Sequence, residues 1–214
     1  VAAVETAGVT LAVGHVERHN PVVAKAKEAI EHGEWGEIIT MSSRRVSSFP
    51  ARIHDVGVLF DLSIHDMDIS TFLAGSDVAS VYTVGGQMKA NHEDHVNLIL
   101  KHESGIISVC ETNWLTPMKI RKMGITTSSH YVELDYQHQT LQLFNSSFVK
   151  VDEKNLYSMN LEFESHNISI NKKEPLQLEL VDFLSAIQDD RNPLVTGQEG
   201  INIVRISEAA LASL

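Results

Sequence analysis

The sequence predicts an α+β fold: a large, mostly antiparallel open sheet with helices on one face. Three observations carry this. From Val78 to Phe144, stretches that alternate or run apolar follow one another with only short turns between them, the pattern of an antiparallel meander. Helical patterns flank that run on both sides, so helices are expected to cover the sheet rather than alternate with its strands. Covering one face leaves the other bare, which makes oligomerisation a natural consequence.

The elements follow in order. Val1-Ala-Ala-Val-Glu-Thr-Ala-Gly8 reads as the last turns of a helix stopped by glycine, and Thr10 to His15 as a short buried strand. A chain opening inside a helix–strand unit is expected to continue upstream. Asn20 caps a helix with Pro21 at its first position, running to about His32 and ending at Gly33. Gly36 to Phe49 reads as one or two strands, Phe49 to Asp55 as a loop, and Gly57 to Leu73 as a helix ended by Ala74-Gly75-Ser76. Strands are expected at Val78–Met88, His95–His102, Gly105–Trp114, Lys119–Thr127, Tyr131–Asp135 and Thr140–Phe144, with Thr116-Pro117 among the turns. Val149 to Ser169 leaves strand and loop both open. Helices close the chain at Pro175–Asp190 and about Gln198–Leu214.

Composition excludes several classes of function. The 214 residues carry 43% hydrophobic and 21% charged residues, ordinary for a soluble globular protein. The net charge of −11 comes with dispersed Lys and Arg, which speaks against nucleic-acid binding. Cys110 is the only cysteine, so no intrachain disulfide forms and a reducing, cytoplasmic setting fits. No transmembrane run or signal peptide is visible. The glycosylation patterns at Asn145-Ser-Ser147 and Asn167-Ile-Ser169 are chance matches in that setting.

The most informative stretch is Asp61-Leu-Ser-Ile-His65-Asp-Met-Asp68. At about 100° per residue, Asp61, His65 and Asp68 fall within a strip about 60° wide. Leu62, Ile69 and Leu73 lie on one side of it, Phe60, Ile64 and Met67 on the other. Ser63 and Ser70 lie opposite and read as the wet face. An inward acid–His–acid strip is costly unless it is hydrogen-bonded or used. A base that removes a hydroxyl proton must titrate near neutrality, as His does, with a carboxylate to orient it. A helix-face salt bridge or a satisfied core histidine is the competing account.

Other candidates are weaker. Arg44, Arg45 and Arg52 precede this helix and suit carboxylates or phosphates, or else a solvated strand edge. Strand alternation sends Arg44 and Arg45 to opposite faces, so at most one of that pair shares the strip's cleft. Asn113 to Arg121 gathers Trp114, Lys119 and Arg121 at a strand–turn–strand junction that can line a polar ligand site. His92-Glu-Asp-His95 has ligand-type residues but splayed, with no partner at zinc spacing, so no metal site is assigned. There is no Gly-rich phosphate loop, and Val84-Gly-Gly86 reads as a strand end or bulge.

Gly57-Val-Leu-Phe-Asp61-Leu-Ser-Ile-His65-Asp-Met-Asp68 resembles the catalytic-helix motif of the Gfo/Idh/MocA family of NAD(P)-dependent sugar and polyol dehydrogenases. Val13 to Pro21 is similar to the junction that opens that family's C-terminal domain. Pro193 to Gly200, with the helix ending Glu208 to Ser213, is similar to its closing helix. Phe49 to Gly57 and Asn113 to Pro117, with Lys119 and Arg121, resemble an archaeal branch that includes UDP-N-acetylglucosamine 3-dehydrogenase.

The resemblance implies residues 1–20 as the end of a Rossmann domain and 21–214 as the C-terminal substrate-binding and oligomerisation domain. It implies His65 in proton transfer, Asp61 holding substrate and histidine, and substrate contacts from Glu17, Arg18, Arg44, Arg52, Trp114, Lys119 and Arg121. Asp68 is left as a helix anchor. The implied cofactor is NAD or NADP, the substrate a sugar or nucleotide sugar, and the assembly a homodimer or homotetramer through the open sheet face. An inositol or monosaccharide dehydrogenase is the alternative substrate reading. A non-catalytic sugar-binding or dimerising module, or a metal-dependent hydrolase, are the alternative functions. The family's Gly-rich cofactor loop and Glu-Lys-Pro motif would lie upstream of Val1, so no dehydrogenase activity is expected of these residues alone.

Overall fold

The computed structural model describes residues 1–50, 53, 55–146 and 163–214. Arg52 and the first part of the Val149–Ser169 stretch lie outside the described residues. Helix α1 (Ala2–Ala7) stops at Gly8, whose φ of 64° is left-handed. Thr10 to His15 is not a strand. It has a single bridge, Ala12 to Thr196, and the Val13 N–H donates to the Val195 carbonyl at 3.2 Å. The segment lies against the entry to the last helix, where Gly197 and Gly200 leave room for Leu11 and Val13. A tight 3₁₀ turn, Val16–His19, follows. Asn20 then caps α2 (Pro21–Glu31), its side-chain oxygen accepting from the Val22 N–H at 3.3 Å.

The sheet has eight strands: β1 (Ile38–Ser48), β2 (Val78–Gly86), β3 (His95–His102), β4 (Ile107–Asn113), β5 (Leu115–Thr127), β6 (His130–Asp135), β7 (Thr140–Ser146) and β8 (Phe163–Ile168). Their order is β2-β3-β4-β1-β5-β6-β7-β8. Two meanders therefore flank β1, which runs parallel to β4 and antiparallel to β5. The expected turn at Thr116-Pro117 lies one step earlier. Asn113 Oδ1 accepts from the N–H groups of Leu115 and Thr116, both at 3.0 Å, so the chain reverses at Asn113-Trp114 and crosses the end of β1. An Asn side chain that imitates a backbone turn does this without glycine.

Helices cover one face. Val96, Leu98 and Leu100 of β3 are buried, while Asn97, Ile99 and Lys101 are exposed. The same alternation continues through β4 (Ser108, Cys110, Thr112) and β1 (Met41, Ser43, Arg45). One core cluster joins α2 to Met41, Met123, Ile125, Val132 and Leu134, and a second gathers Leu59, Met67, Leu98, Leu100, Trp114 and Ala210. On the bare face Tyr82, Ile99 and Val109 stand exposed. Helices α4 (Pro175–Gln188) and α5 (Gly197–Ala212) close the chain.

Helix α3 (Ile64–Ala74) is entered through a π turn, Leu59–Ser63, and ends at Gly75 (φ 59°). Ser63 and Ser70 are fully buried, so the expected wet face is a packed one. Two causes combine. The wider π turn shifts the phase of Asp61 relative to the residues after it. The helix also lies between the sheet on one side and α2 and α5 on the other. The Cys110 thiol faces Ser43 and Ser70, and burial pushes it up to about 12, so small side chains bring helix and sheet close.

Ser70→Leu discriminates these two accounts. Overpacking the α3–sheet contact is expected to lower unfolding free energy by about 1–3 kcal/mol in urea denaturation. A change within about 0.5 kcal/mol would return Ser70 to the surface.

Candidate active site

Two buried ion networks fasten the 3₁₀ turn to α3. In the first, Arg45 of β1 donates from Nε to Asp66 Oδ1 at 3.1 Å and from Nη1 to Glu17 Oε1 at 3.0 Å. Arg45 is 1% exposed, and its guanidinium lies 5.4 Å from the centre of the Tyr136 ring. In the second, Arg18 grips Asp68 through Nε (3.1 and 3.0 Å) and Nη2 (2.8 Å), and Nη1 donates to Glu199 of α5. The sequence can do this because Glu17 and Arg18 are consecutive in a tight turn, and Asp66 and Asp68 are two apart on one helix. His65 lies between those aspartates.

Burial is the largest influence on each of these charges. It would raise Glu17, yet Arg45, with Asn20 and Arg121, holds that carboxyl below its ordinary range. Asp66 and Asp68 stay above it, burial outweighing Arg45 and Arg18. His65 is lowered to about 4, by burial first and by the Arg45 charge next. Its Nδ1 is buried and makes no hydrogen bond among the described residues. At neutral pH the ring is therefore an uncharged imidazole, the form that accepts a proton, but burial moves it well below the near-neutral titration expected from the sequence.

A cleft of about 360 Å³ adjoins Glu17, lined also by Asn20, Lys119, Arg121, Tyr136 and Gln139. Arg121 stands across from Arg45 in the sheet register, and like charges so placed repel. Glu17 offsets this, with Arg121 Nη1 at 3.6 Å from its Oε1. Lys119 is lowered mainly by Arg121. Asn20 Nδ2 donates to Glu17 Oε2 at 3.1 Å and to the Tyr136 carbonyl at 3.0 Å. Gln139, held at φ 49°, pins the rim by exchanging hydrogen bonds with the Lys173 backbone. Asp61 is half-buried, and its charge acts on Arg121. A carboxylate, an amide and two cations around one cleft suit a polyhydroxylated ligand, and the charges of two of them, Glu17 and Arg121, also act on the neutral His65 imidazole, a group able to accept a hydroxyl proton.

The structure thus gathers Asp61, His65, Glu17, Lys119 and Arg121. Other expected contacts go elsewhere. Arg44 lies on the bare face of the sheet, its Nε 3.0 Å from Glu111, because alternation turned Arg45 inward instead. Trp114 is buried in the core with Phe49 edge-on at 5.6 Å. Arg18 is committed to Asp68 and Glu199. Arg52 lies outside the described residues. Asp94, from the His92–His95 cluster, accepts from the N–H groups of Met88, Lys89 and Ala90 and from His95, and so closes its own loop. Among the described residues no three His, Cys, Asp or Glu are placed to hold a metal. Sequence reasoning missed Arg45 as the inward arginine, Asp66, and His15. His15 is buried, with its ring perpendicular to that of His65 at 6.4 Å. The one available signal was the Arg44-Arg45 alternation, which could not say which residue points inward.

Comparison with known proteins agrees with this fold. A family model described as the GFO/IDH/MocA C-terminal domain matches residues 23–132. The chain is 24% identical over 194 residues to UDP-N-acetylglucosamine 3-dehydrogenase of Acidithiobacillus ferrooxidans, covering 91% of this chain and 59% of that protein. It is 26% identical over 225 residues to scyllo-inositol 2-dehydrogenase (NAD(+)) of Bacillus subtilis, covering 98% and 62%. The chain therefore spans about three-fifths of these relatives. The solved structure of UDP-N-acetylglucosamine 3-dehydrogenase GnnA from A. ferrooxidans shares the fold, with a TM-score of 0.85 at 21% identity over 100% of this chain and 65% of that one.

The lowered His65 has a consequence for stability. Unfolded, the ring titrates at its ordinary 6.5, and folded at about 4. Its share of stability is whole above pH 6.5 and lost as pH falls toward 4, because the unfolded chain takes the proton first. Wild type is expected to lose about 3 kcal/mol more than His65→Gln between neutral pH and about pH 4. Urea denaturation of both proteins at the two pH values checks this, and parallel losses would show an unperturbed ring.

Proposed function

The chain belongs to the GFO/IDH/MocA family, whose C-terminal domain it carries, and on that premise we propose that it forms the substrate side of an NAD(P)-dependent dehydrogenase acting on a sugar hydroxyl. The observation that carries this is the neutral His65 imidazole, set among two buried ion networks, with Glu17 and Arg121, whose charges act on it, lining a polar cleft. His65 takes the hydroxyl proton, Asp61 holds ring and substrate, and Glu17 and Asn20 receive neighbouring hydroxyls.

The cofactor, NAD or NADP, accepts the hydride. The described residues do not fit its pyrophosphate. The left-handed glycines (Gly8, Gly33, Gly36, Gly75, Gly105) end helices or turns, and none leads a strand into a helix N-terminus. In this reading a dinucleotide-binding domain, of which residues 1–20 are the end, holds the cofactor against His65.

Lys119 and Arg121 favour a nucleotide sugar, whose diphosphate they can meet. An inositol or free monosaccharide is the second reading, in line with the similarity to scyllo-inositol 2-dehydrogenase. The bare sheet face, with Tyr82, Ile99 and Val109 exposed, is assigned to a second copy in a homodimer or homotetramer. No helix of the described residues is long and apolar enough to cross a membrane. A cytoplasmic reaction is part of this proposal, and the single cysteine, Cys110, supports it.

The test is a cofactor-reduction screen of the full-length protein against UDP-sugars, inositols and monosaccharides. One class is expected to turn over, and His65→Ala to lower kcat by about 10²–10⁴-fold. Undiminished turnover in that variant removes His65 from the chemistry. On a sizing column the same preparation is expected to run as a dimer or larger, and a monomer would leave the sheet face unassigned.

A further inference from the structure

Two imidazoles meet at this centre, and the proposed reaction uses only one. His15 is 5% exposed, ends the Thr10–Gly14 segment and enters the 3₁₀ turn. Its backbone is fixed at both ends. Its N–H donates to the Val13 carbonyl at 2.8 Å, and its carbonyl accepts from Arg18 at 3.0 Å. The ring is perpendicular to that of His65, with centroids 6.4 Å apart.

The charges around the two rings differ. His15 faces the carboxylates of Asp68 on α3 and Glu199 on α5, with Arg18 of the turn against them, and Glu179 of α4 lies beside Gly14. His65 faces Arg45 of β1 and Arg121 of β5, with Glu17 of the turn opposing them. Burial lowers both rings; the carboxylates oppose that lowering at His15, whereas the two arginines add to it at His65. We propose that His15 is a positioning residue that relays the proton from His65 toward Asp68 and Glu199.

The step balances within the reaction proposed above, on which it rests. The substrate O–H bond breaks and an N–H bond forms on His65. The hydride leaves for the nicotinamide, and the proton passes to His15, which returns His65 to its neutral form. As proposed, the transfer passes through one water bridging the two rings, whose centroids are 6.4 Å apart. Without His15 the imidazolium stays between Arg45 and Arg121, where it is least favoured.

Histidine-selective NMR of the full-length protein reads the coupling directly. In wild type the His65 ring is expected to respond at two midpoints, its own and that of His15. In His15→Gln the response at the His15 midpoint disappears, and the His65 midpoint rises by about 1 pH unit, the size of one charge acting at this distance. In turnover, His15→Gln lowers kcat about tenfold with little change in KM, and the acid limb set by His15 disappears from the kcat profile. A single His65 midpoint in wild type, unmoved by His15→Gln, overturns the relay even where His65→Ala abolishes turnover. Full turnover in His65→Ala instead removes the proposed role of His65, while the coupling measured by NMR stands. Should His15→Gln fail to fold, the two-midpoint response of wild type still decides the matter.

Discussion

The centre of this structure depends on one buried arginine. Arg45 reaches from the middle strand of the sheet to Glu17 on the turn and Asp66 on the helix, and is itself excluded from water. Three elements far apart in sequence meet on that guanidinium. A buried charge triad of this kind gives geometry more than stability, since desolvation offsets most of the attraction. Its worth lies in what it fixes. Asp66 adjoins His65, Glu17 lines the cleft, and the same positive charge adds to the burial that keeps the imidazole uncharged. The Arg18–Asp68–Glu199 network repeats the device on the other side and brings in α5.

Much of the fold was legible because local rules decided it. Asn20-Pro21 and the left-handed glycines Gly8, Gly33 and Gly75 set helix ends by backbone geometry alone. The strands of the two meanders, β2 to β4 and β5 to β7, followed from alternation, although the sequence suggested one continuous meander. Other features were not legible, each for a physical reason. The insertion of β1 between β4 and β5 is a non-local pairing. The π turn changes the helical phase without changing the residue types. The burial of Ser70 depends on small partners, Ser43 on β1 and Cys110 on β4, that are distant in sequence.

The site was half legible. The spacing of Asp61, His65 and Asp68 marked the helix, and the family resemblance supplied roles. Alternation alone could not choose between Arg44 and Arg45, and the wrong one looks as suitable as the right one until the sheet is oriented. Arg18 and Trp114 are residue types that bind ligands and also complete cores, and the fold uses both for the second purpose. His15 gave no signal, because its neighbours come from α3, α5 and the turn at once.

The account stands or falls on the Arg45 triad, and urea denaturation of Arg45→Met, alone and together with Glu17→Gln and Asp66→Asn, tests it most directly. The single change should remove about 3–5 kcal/mol of stability by leaving Asp66 buried without its arginine and Glu17 held only by Asn20 and Arg121, and the triple change should recover most of that loss. A single-variant loss below about 1 kcal/mol, with no recovery in the triple variant, would show that the three elements are held together by something other than Arg45.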